Sequence, residues 1–353
     1  MPHLHAAITD TPCRRIAAAI GMVAMTLCLM LTACVRDEEM DDTPSGNLET
    51  LWRIIDEHYC FLTYKHDAYG LDWDSVHAVY SARLNPSMSR TQLFEVLCEM
   101  LGELRDGHVN LYATHDVGRY WHWYEDFPPN LYEDLRDEYL GTDYLIASAL
   151  RYRFLPDNVG YMVCSSFATG LGSGNISEAL NYLRTANGLI VDVRGNGGGD
   201  LTNAELLASH FTNERRHVGY IQHKTGPAHD AFSEPVAEYL EPARGVRWQK
   251  PVVVLTNREC YSATNTFVRD MMAIPGVVVV GDQTGGGAGL PFSSELPCGW
   301  SVRFSACPML DADRRHTEHG IAPHVRVGIT ADDRARHRDT IIETARAIIN
   351  SSL

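Results

Sequence analysis

None of the nine cysteines forms a Cys-x-x-Cys pair, no glycine loop is followed by Gly-Lys-Ser/Thr, and positive charge is scarce. The first absence removes zinc ribbons and dithiol redox motifs, and the second removes a phosphate loop. With 30 Lys and Arg against 45 Asp and Glu, the net charge is −15. That balance denies the chain the basic footprint a nucleic-acid partner needs. Three histidines lie close together (His316, His319 and His324), but their spacings match no zinc pattern. No metal and no cofactor is expected. No sequence repeat of regular period is visible.

Long apolar runs are also missing. Ile16 to Leu31 follows Arg14 and Arg15, which gives the basic and apolar regions of a secretory signal, and it is short for a membrane span. It ends Leu31-Thr32-Ala33-Cys34, which resembles a bacterial lipobox. Residues 1–33 are therefore read as a lipoprotein signal peptide with Cys34 as the lipidated residue, placing the protein in the bacterial cell envelope. An outer-membrane anchor is expected, and the acidic residues 35–42 fit export to the cell surface. Residues 34–47, acidic and ending in Pro/Gly, read as a disordered tether. Cys60, Cys98, Cys164, Cys260, Cys298 and Cys307 follow, and Cys298 and Cys307 flank an expected hairpin.

What the chain does have is 45% hydrophobic residues at a globular charge density. Residues 48–104 carry helical periodicity, with Leu48, Leu51, Trp52, Ile55 and Tyr59 on one face. Ser89 and Gln92 form a capping box for the last of these helices. Asp106-Gly107 then turns the chain at His108. Residues 113–150 are aromatic and charged without a clear period. From residue 159, strands and helices alternate: a strand at 159–164, a helix at 176–183 capped by Asn175, a strand at 188–194 and a helix at 203–211. A strand at 252–255, a helix after Ser262 and a strand at 276–280 continue the series. Residues 291–327 read as short strands and turns, and 332–349 as a closing helix. Such alternation implies an α/β core.

Ser262 stands between the buried run Val252–Leu255 and an apolar helical face of Phe267, Val268 and Met271. Backbone N–H groups at a helix start are unpaired and the dipole is positive there. That favours a nucleophile whose attack creates an oxyanion. Taken alone, a serine at such a junction is more often a plain N-cap. The loop Gly195-Asn196-Gly197-Gly198-Gly199-Asp200 fails as a dinucleotide fingerprint because Asp200 occupies the last glycine position. It can instead aim N–H groups into a cleft. Gly197 or Gly198, with Ala263, would then form an oxyanion hole.

Four segments in order resemble the tail-specific, tricorn-like serine peptidases, which include the C-terminal processing proteases. They are 104–112 (LRDGHVNLY), 160–199 (GYMVCSSF and GLIVDVRGNGGG), 254–289 (VLTNRECYSATNTF and VVVVGDQTGGGAG) and 318–327 (EHGIAPHVRV). The resemblance implies a crotonase-like, ClpP-like α/β spiral over 108–353, preceded by a helical bundle over 48–107. Members with a Ser/Lys dyad place the base in a Gly-Lys-Gly, where this chain has Gly285-Gly286-Gly287. The tricorn-like branch takes a histidine and a glutamate from the segments matching His108 and Glu318. The resemblance thus implies Ser262, His108 and Glu318 as the catalytic set. Gly107 stands where tricorn has a polar residue, and no PDZ-like insert is evident between 112 and 159. Peptides or proteins are the expected substrates. The competing expectation is a surface lipoprotein of the same fold that binds peptides or apolar ligands without cleaving them.

Overall fold

The computed structural model describes residues 41–351. The signal segment, Cys34 and the first part of the tether lie outside the described residues. Four helices come first: α1 (Pro44–His58), α2 (Leu62–Tyr69), α3 (Trp73–Ser81) and α4 (Arg90–Gly102). Their apolar faces form one cluster with Leu296, Trp300, Val302 and Phe304 from a strand pair much later in the chain.

Residues 44–47 are not part of a disordered tether. Thr43 caps α1 by accepting the Gly46 N–H, Pro44 begins the first turn, and Arg90 grips Asp42 through two bonds of 2.8 and 2.6 Å. Thr-Pro is an N-cap followed by a preset φ, and that local signal outweighs the acidic composition.

A seven-stranded sheet forms the body. It contains β3 (Leu145–Ala147), β4 (Leu150–Phe154), β5 (Gly160–Cys164), β6 (Leu189–Asp192), β9 (Val252–Thr256), β10 (Val277–Gly281) and β13 (Val325–Arg326), in the order 13-10-9-6-5-4-3. The run from β13 to β5 is parallel, and β4 and β3 add an antiparallel edge. Residues 113–158 thus add edge strands and two short helices, α5 (His122–Glu125) and α6 (Glu133–Leu140), to the core. Along β6 and β9, Leu189, Val191, Val252 and Val254 join one apolar cluster, while Ile190, Val253 and Leu255 join another. This is the period-two alternation of strands buried on both faces. One face is covered by α7 (Ser173–Tyr182), α8 (Leu201–Ser209) and α9 (Ala263–Met272), the other by α11 (Thr340–Ser351).

A second, antiparallel sheet runs β2 (Val117–Gly118), β1 (Asn110–Tyr112), β12 (Ser301–Leu310), β7 (Arg216–Ile221), β8 (Val236–Leu240), with β11 (Gly289–Glu295) also paired to β12. The mixed α/β architecture matches the expected fold class. The β11–β12 hairpin is longer than the short strands expected there. Cys298 and Cys307 are free thiols, as are the other four described cysteines.

Three local expectations shift. Gly172, not Asn175, caps α7, and the Asn175 side chain accepts the Gly172 N–H from inside the first turn. Asp200 starts α8 two residues early by accepting the Thr202 N–H. The closing helix is broken into α10 (Ala331–Ala335) and α11, with His337 at φ 57° between them. Asp339 causes the second start, because its Oδ1 accepts the N–H groups of Ile341 and Ile342. Its other oxygen holds the fully buried Arg194, which also pairs with Asp192. Among the described residues no helix is long and apolar enough to cross a membrane.

Breaking that buried network should be costly. Arg194→Met leaves two buried carboxylates without their cation and should lower unfolding free energy by about 3–5 kcal/mol. Guanidinium denaturation followed by tryptophan fluorescence reads this; an unchanged midpoint would show that the network contributes nothing.

Candidate active site

The C-terminal ends of the parallel strands open onto one crevice, where ligands of open α/β sheets usually sit. The exit of β6 is the 195–199 glycine loop, and the exit of β9 is the turn through Asn257 to Ser262. Ser262 has φ 57° and ψ −122°, a conformation that a residue with a Cβ rarely adopts. Two bonds hold it there: the Ser262 N–H donates to the Gly286 carbonyl at 2.8 Å, and Tyr261 N–H to the Asn196 carbonyl at 3.2 Å. Its side chain does not cap α9, so the plain N-cap reading fails. The hydroxyl instead points to His108, with Nε2 to Oγ at 2.9 Å across 154 residues of chain.

His108 follows the turn at the end of α4 and leads into β1. Burial pushes its imidazole down to about 4, Asp106 pulls the other way, and Arg303 adds to the depression. The ring is therefore neutral at pH 7 and able to accept a proton. Among the described residues its Nδ1 is buried without a well-formed hydrogen bond, although the Gly289 backbone lies near enough to favour the charged ring slightly.

Among the described residues no hydrogen bond joins His108 to Glu318. Its Oε1 meets Lys65 Nζ at 3.0 Å and its Oε2 accepts the Ala288 N–H at 3.0 Å. Burial and the neighbouring Asp106 charge raise its carboxyl to about 7, against the pull of Lys65. The residue beside the histidine is Asp106, which the sequence reading passed over. It accepts the His108 N–H at 2.7 Å, Tyr59 OH at 2.9 Å, Ser305 OH at 3.0 Å and Tyr261 OH at 3.1 Å. Burial opposes its ionisation, yet Lys65 and these bonds hold its carboxyl below the usual range. Lys65, completely buried on α2, was also missed. A lone lysine in a helical segment carries no signal; only the Arg-Asp-Gly-His string hinted at Asp106.

The expected oxyanion donors separate. Gly198 donates to Asn196 Oδ1 at 3.0 Å, so its N–H is already committed. Its backbone lies so near Ser262 that an added Cβ would come within 2.9 Å of the serine Cβ. The N–H groups of Gly197, Gly199 and Ala263 make no bond among the described residues, and Gly197 and Gly199 line the cleft. That cleft, of about 500 Å³, is walled by Trp121, Trp123 and Tyr124 beside His108 and Ser262. Trp123 stacks on Tyr261 with centroids 4.1 Å apart, and Arg258 anchors it by donating to its carbonyl at 2.7 Å.

Two departures, one from tricorn at Gly107 and one from the Ser/Lys members at Gly286, have steric causes. A Cβ on Gly107 would lie 2.5 Å from Trp123 Nε1 and 3.0 Å from Tyr261 OH. A Cβ on Gly286, at φ 88°, would lie 1.8 Å from the Glu318 carbonyl oxygen. No lysine fits there.

The profile of Peptidase family S41 matches residues 158–327, and that of the Tricorn protease C1 domain matches 40–102. The crystal structure of a proposed peptidase from Parabacteroides merdae is 48% identical, with a TM-score of 0.83 over 88% of this chain and 97% of that one. The chain belongs to peptidase family S41. Carboxy-terminal processing protease CtpA of Bacillus subtilis is 24% identical over 173 residues, 48% of this chain and 35% of that protein. The match therefore spans about a third of that curated relative's length. Mature CPAF shares the fold at 11% identity, with a TM-score of 0.69 over 88% of this chain and 99% of CPAF. The S41 match contains the glycine loop, Ser262 and Glu318, whereas His108 falls between the two matched segments.

The depressed basicity of His108 is open to direct measurement. Its imidazole should stay neutral down to about pH 4, visible in ¹⁵N-histidine NMR as a ring that does not protonate between pH 8 and 5. A titration midpoint near 6.5 would overturn the burial argument.

Proposed function

We propose that the protein is a serine peptidase of the tricorn-like kind, in which Ser262 attacks a peptide carbonyl and His108 takes its proton. The supporting observation is the 2.9 Å contact between a neutral buried imidazole and a serine held in a strained backbone conformation. The proton moves from Oγ to Nε2 as the Oγ–carbon bond forms, and the imidazolium then returns it to the leaving amine. The carbonyl oxygen gains its negative charge next to the free N–H groups of Ala263 and Gly197, with Gly199 beside them. Gly198, first expected in this role, only spaces the loop. One such donor is typically worth about 10²–10³ in rate.

Glu318 acts at a distance. Asp106 is ionised beside Lys65, and Glu318, raised to about 7, is ionised in about half of the molecules at pH 7 and in more above it, so the cluster beneath His108 carries up to one net negative charge. That charge offsets the positive charge that develops on the ring during attack. Water then deacylates the enzyme with His108 as base.

Ser262→Ala and His108→Ala should each cut peptide hydrolysis by about 10⁴-fold or more, while circular dichroism shows both variants still folded. A fluorophosphonate probe should label the parent at Ser262 and fail on Ser262→Ala. An unlabelled, inactive parent would favour the reading in which the fold only binds peptides or apolar ligands.

We also propose a lipid anchor at Cys34 that holds the protein in the bacterial envelope, supported by the signal-like run ending in Leu-Thr-Ala-Cys. Radiolabelled palmitate should enter the full-length protein and be lost in Cys34→Ala. Equal labelling of both would remove the anchor.

A further inference from the structure

Arg303 is an anomaly in the cleft. It sits in the middle of β12, opposite Asn110 of β1 and Ser293 of β11. Its side chain lines both the 500 Å³ cleft and a neighbouring cavity of about 250 Å³, and the two cavities meet at Ser262. The residue is half-buried, yet among the described residues it makes no hydrogen bond and no ion pair. Other buried guanidiniums have partners: Arg194 has Asp192 and Asp339, Arg269 has Glu238 and Asp270, Arg136 has Glu133, and Arg258 donates to three carbonyls. A guanidinium has five donors in a planar fork and is costly to desolvate without a partner.

Arg119, on the outer wall of the same cleft, also lacks an ion pair among the described residues; it leans on Trp121 at 5.5 Å. Each cavity has one carboxylate of its own. Glu259 accepts from Asn257 Nδ2 at 3.3 Å, and Asp200 caps α8. Neither pairs with these arginines. In a chain of net charge −15, two guanidiniums lining the Ser262 cleft without an ion pair among the described residues are a local exception to the global charge.

We propose that Arg303, assisted by Arg119, is a carboxylate-binding subsite beside Ser262, so that preferred substrates carry an anionic group close to the bond to be cut. The fork matches a carboxylate bidentately. An acidic side chain and a free chain end offer the same chemistry. This inference rests on the reading of the cleft as the peptide site. It carries a catalytic consequence: a bound carboxylate offsets the positive charge that Arg303 presents to His108, making the base stronger once substrate is seated.

The test uses Ser262→Ala, so that binding is read without turnover. Three fluorescent peptide sets are compared by anisotropy: neutral and amidated, amidated with a single Glu moved along the sequence, and neutral with a free C-terminus. One anionic set should bind about tenfold tighter than the neutral set or better. The advantage should shrink as salt rises. Adding Arg303→Gln should bring that ratio to about one, and Arg303→Lys should retain part of it. If the Glu set alone wins, the recognised group is an acidic side chain; if the free-end set alone wins, it is the terminal carboxylate. Equal binding of all three sets, or an Arg303→Gln variant that weakens all alike, overturns the proposal. Hydrolysis by the parent is scored separately. Charge-selective binding without cleavage retires the peptidase reading alone; cleavage without charge preference retires the subsite alone.

Discussion

The structure depends on the carboxylate of Asp106. It is almost fully buried, and its four partners come from α1's end, the nucleophile turn, β12 and the backbone of His108. A buried carboxylate without donors would cost several kcal/mol or neutralise itself. Four donors remove that cost only if every contributing segment docks at once. One side chain thus makes the helical region, the antiparallel sheet and the serine turn mutually dependent. Tyr59 and Tyr261 are well suited to this, since burial raises both phenols well above their ordinary range and keeps them as donors.

The same group shapes the electrostatics. Asp106 holds the His108 backbone, while Lys65 binds Glu318 and also favours Asp106 ionised. An imidazole in an apolar enclosure alone would be a weak base and a poor home for an imidazolium. An anionic cluster beneath the ring leaves its neutral form almost untouched and stabilises its charged form, which is the differential effect catalysis requires. In the proposed mechanism Glu318, bonded to Lys65, would act on His108 through charge and without a hydrogen bond between them.

How much of this was legible depended on range. The α/β alternation, the capping box at Ser89 and Gln92, and the strand–serine–helix junction are local patterns, and they were readable because they answer to local sterics and hydrogen bonding. The strain at Ser262 was not, because φ is imposed by the Gly286 and Asn196 carbonyls from other segments. Lys65 was invisible for the same reason: its partner lies 253 residues away. Gly198 was misread in one respect. A glycine loop shows that N–H groups can face a cleft, but Asn196 decides which of them is already taken. Asp339 broke the closing helix through bonds that no helical period encodes.

The absence of a lysine base becomes intelligible in these terms. With Gly286 pressed against the Glu318 carbonyl, the 285–287 loop has no room for a side chain facing the serine. In the proposed mechanism the base comes from elsewhere: among the described residues, the imidazole bonded to Ser262 is that of His108, delivered by the turn between α4 and β1. That turn is positioned by the helical region packing on β12, through the cluster that joins Leu97 and Leu101 to Val302 and Phe304. The helices are therefore not an appendage to a self-sufficient core. Their docking sets the 2.9 Å distance between the His108 imidazole and the Ser262 hydroxyl, on which the proposed mechanism depends.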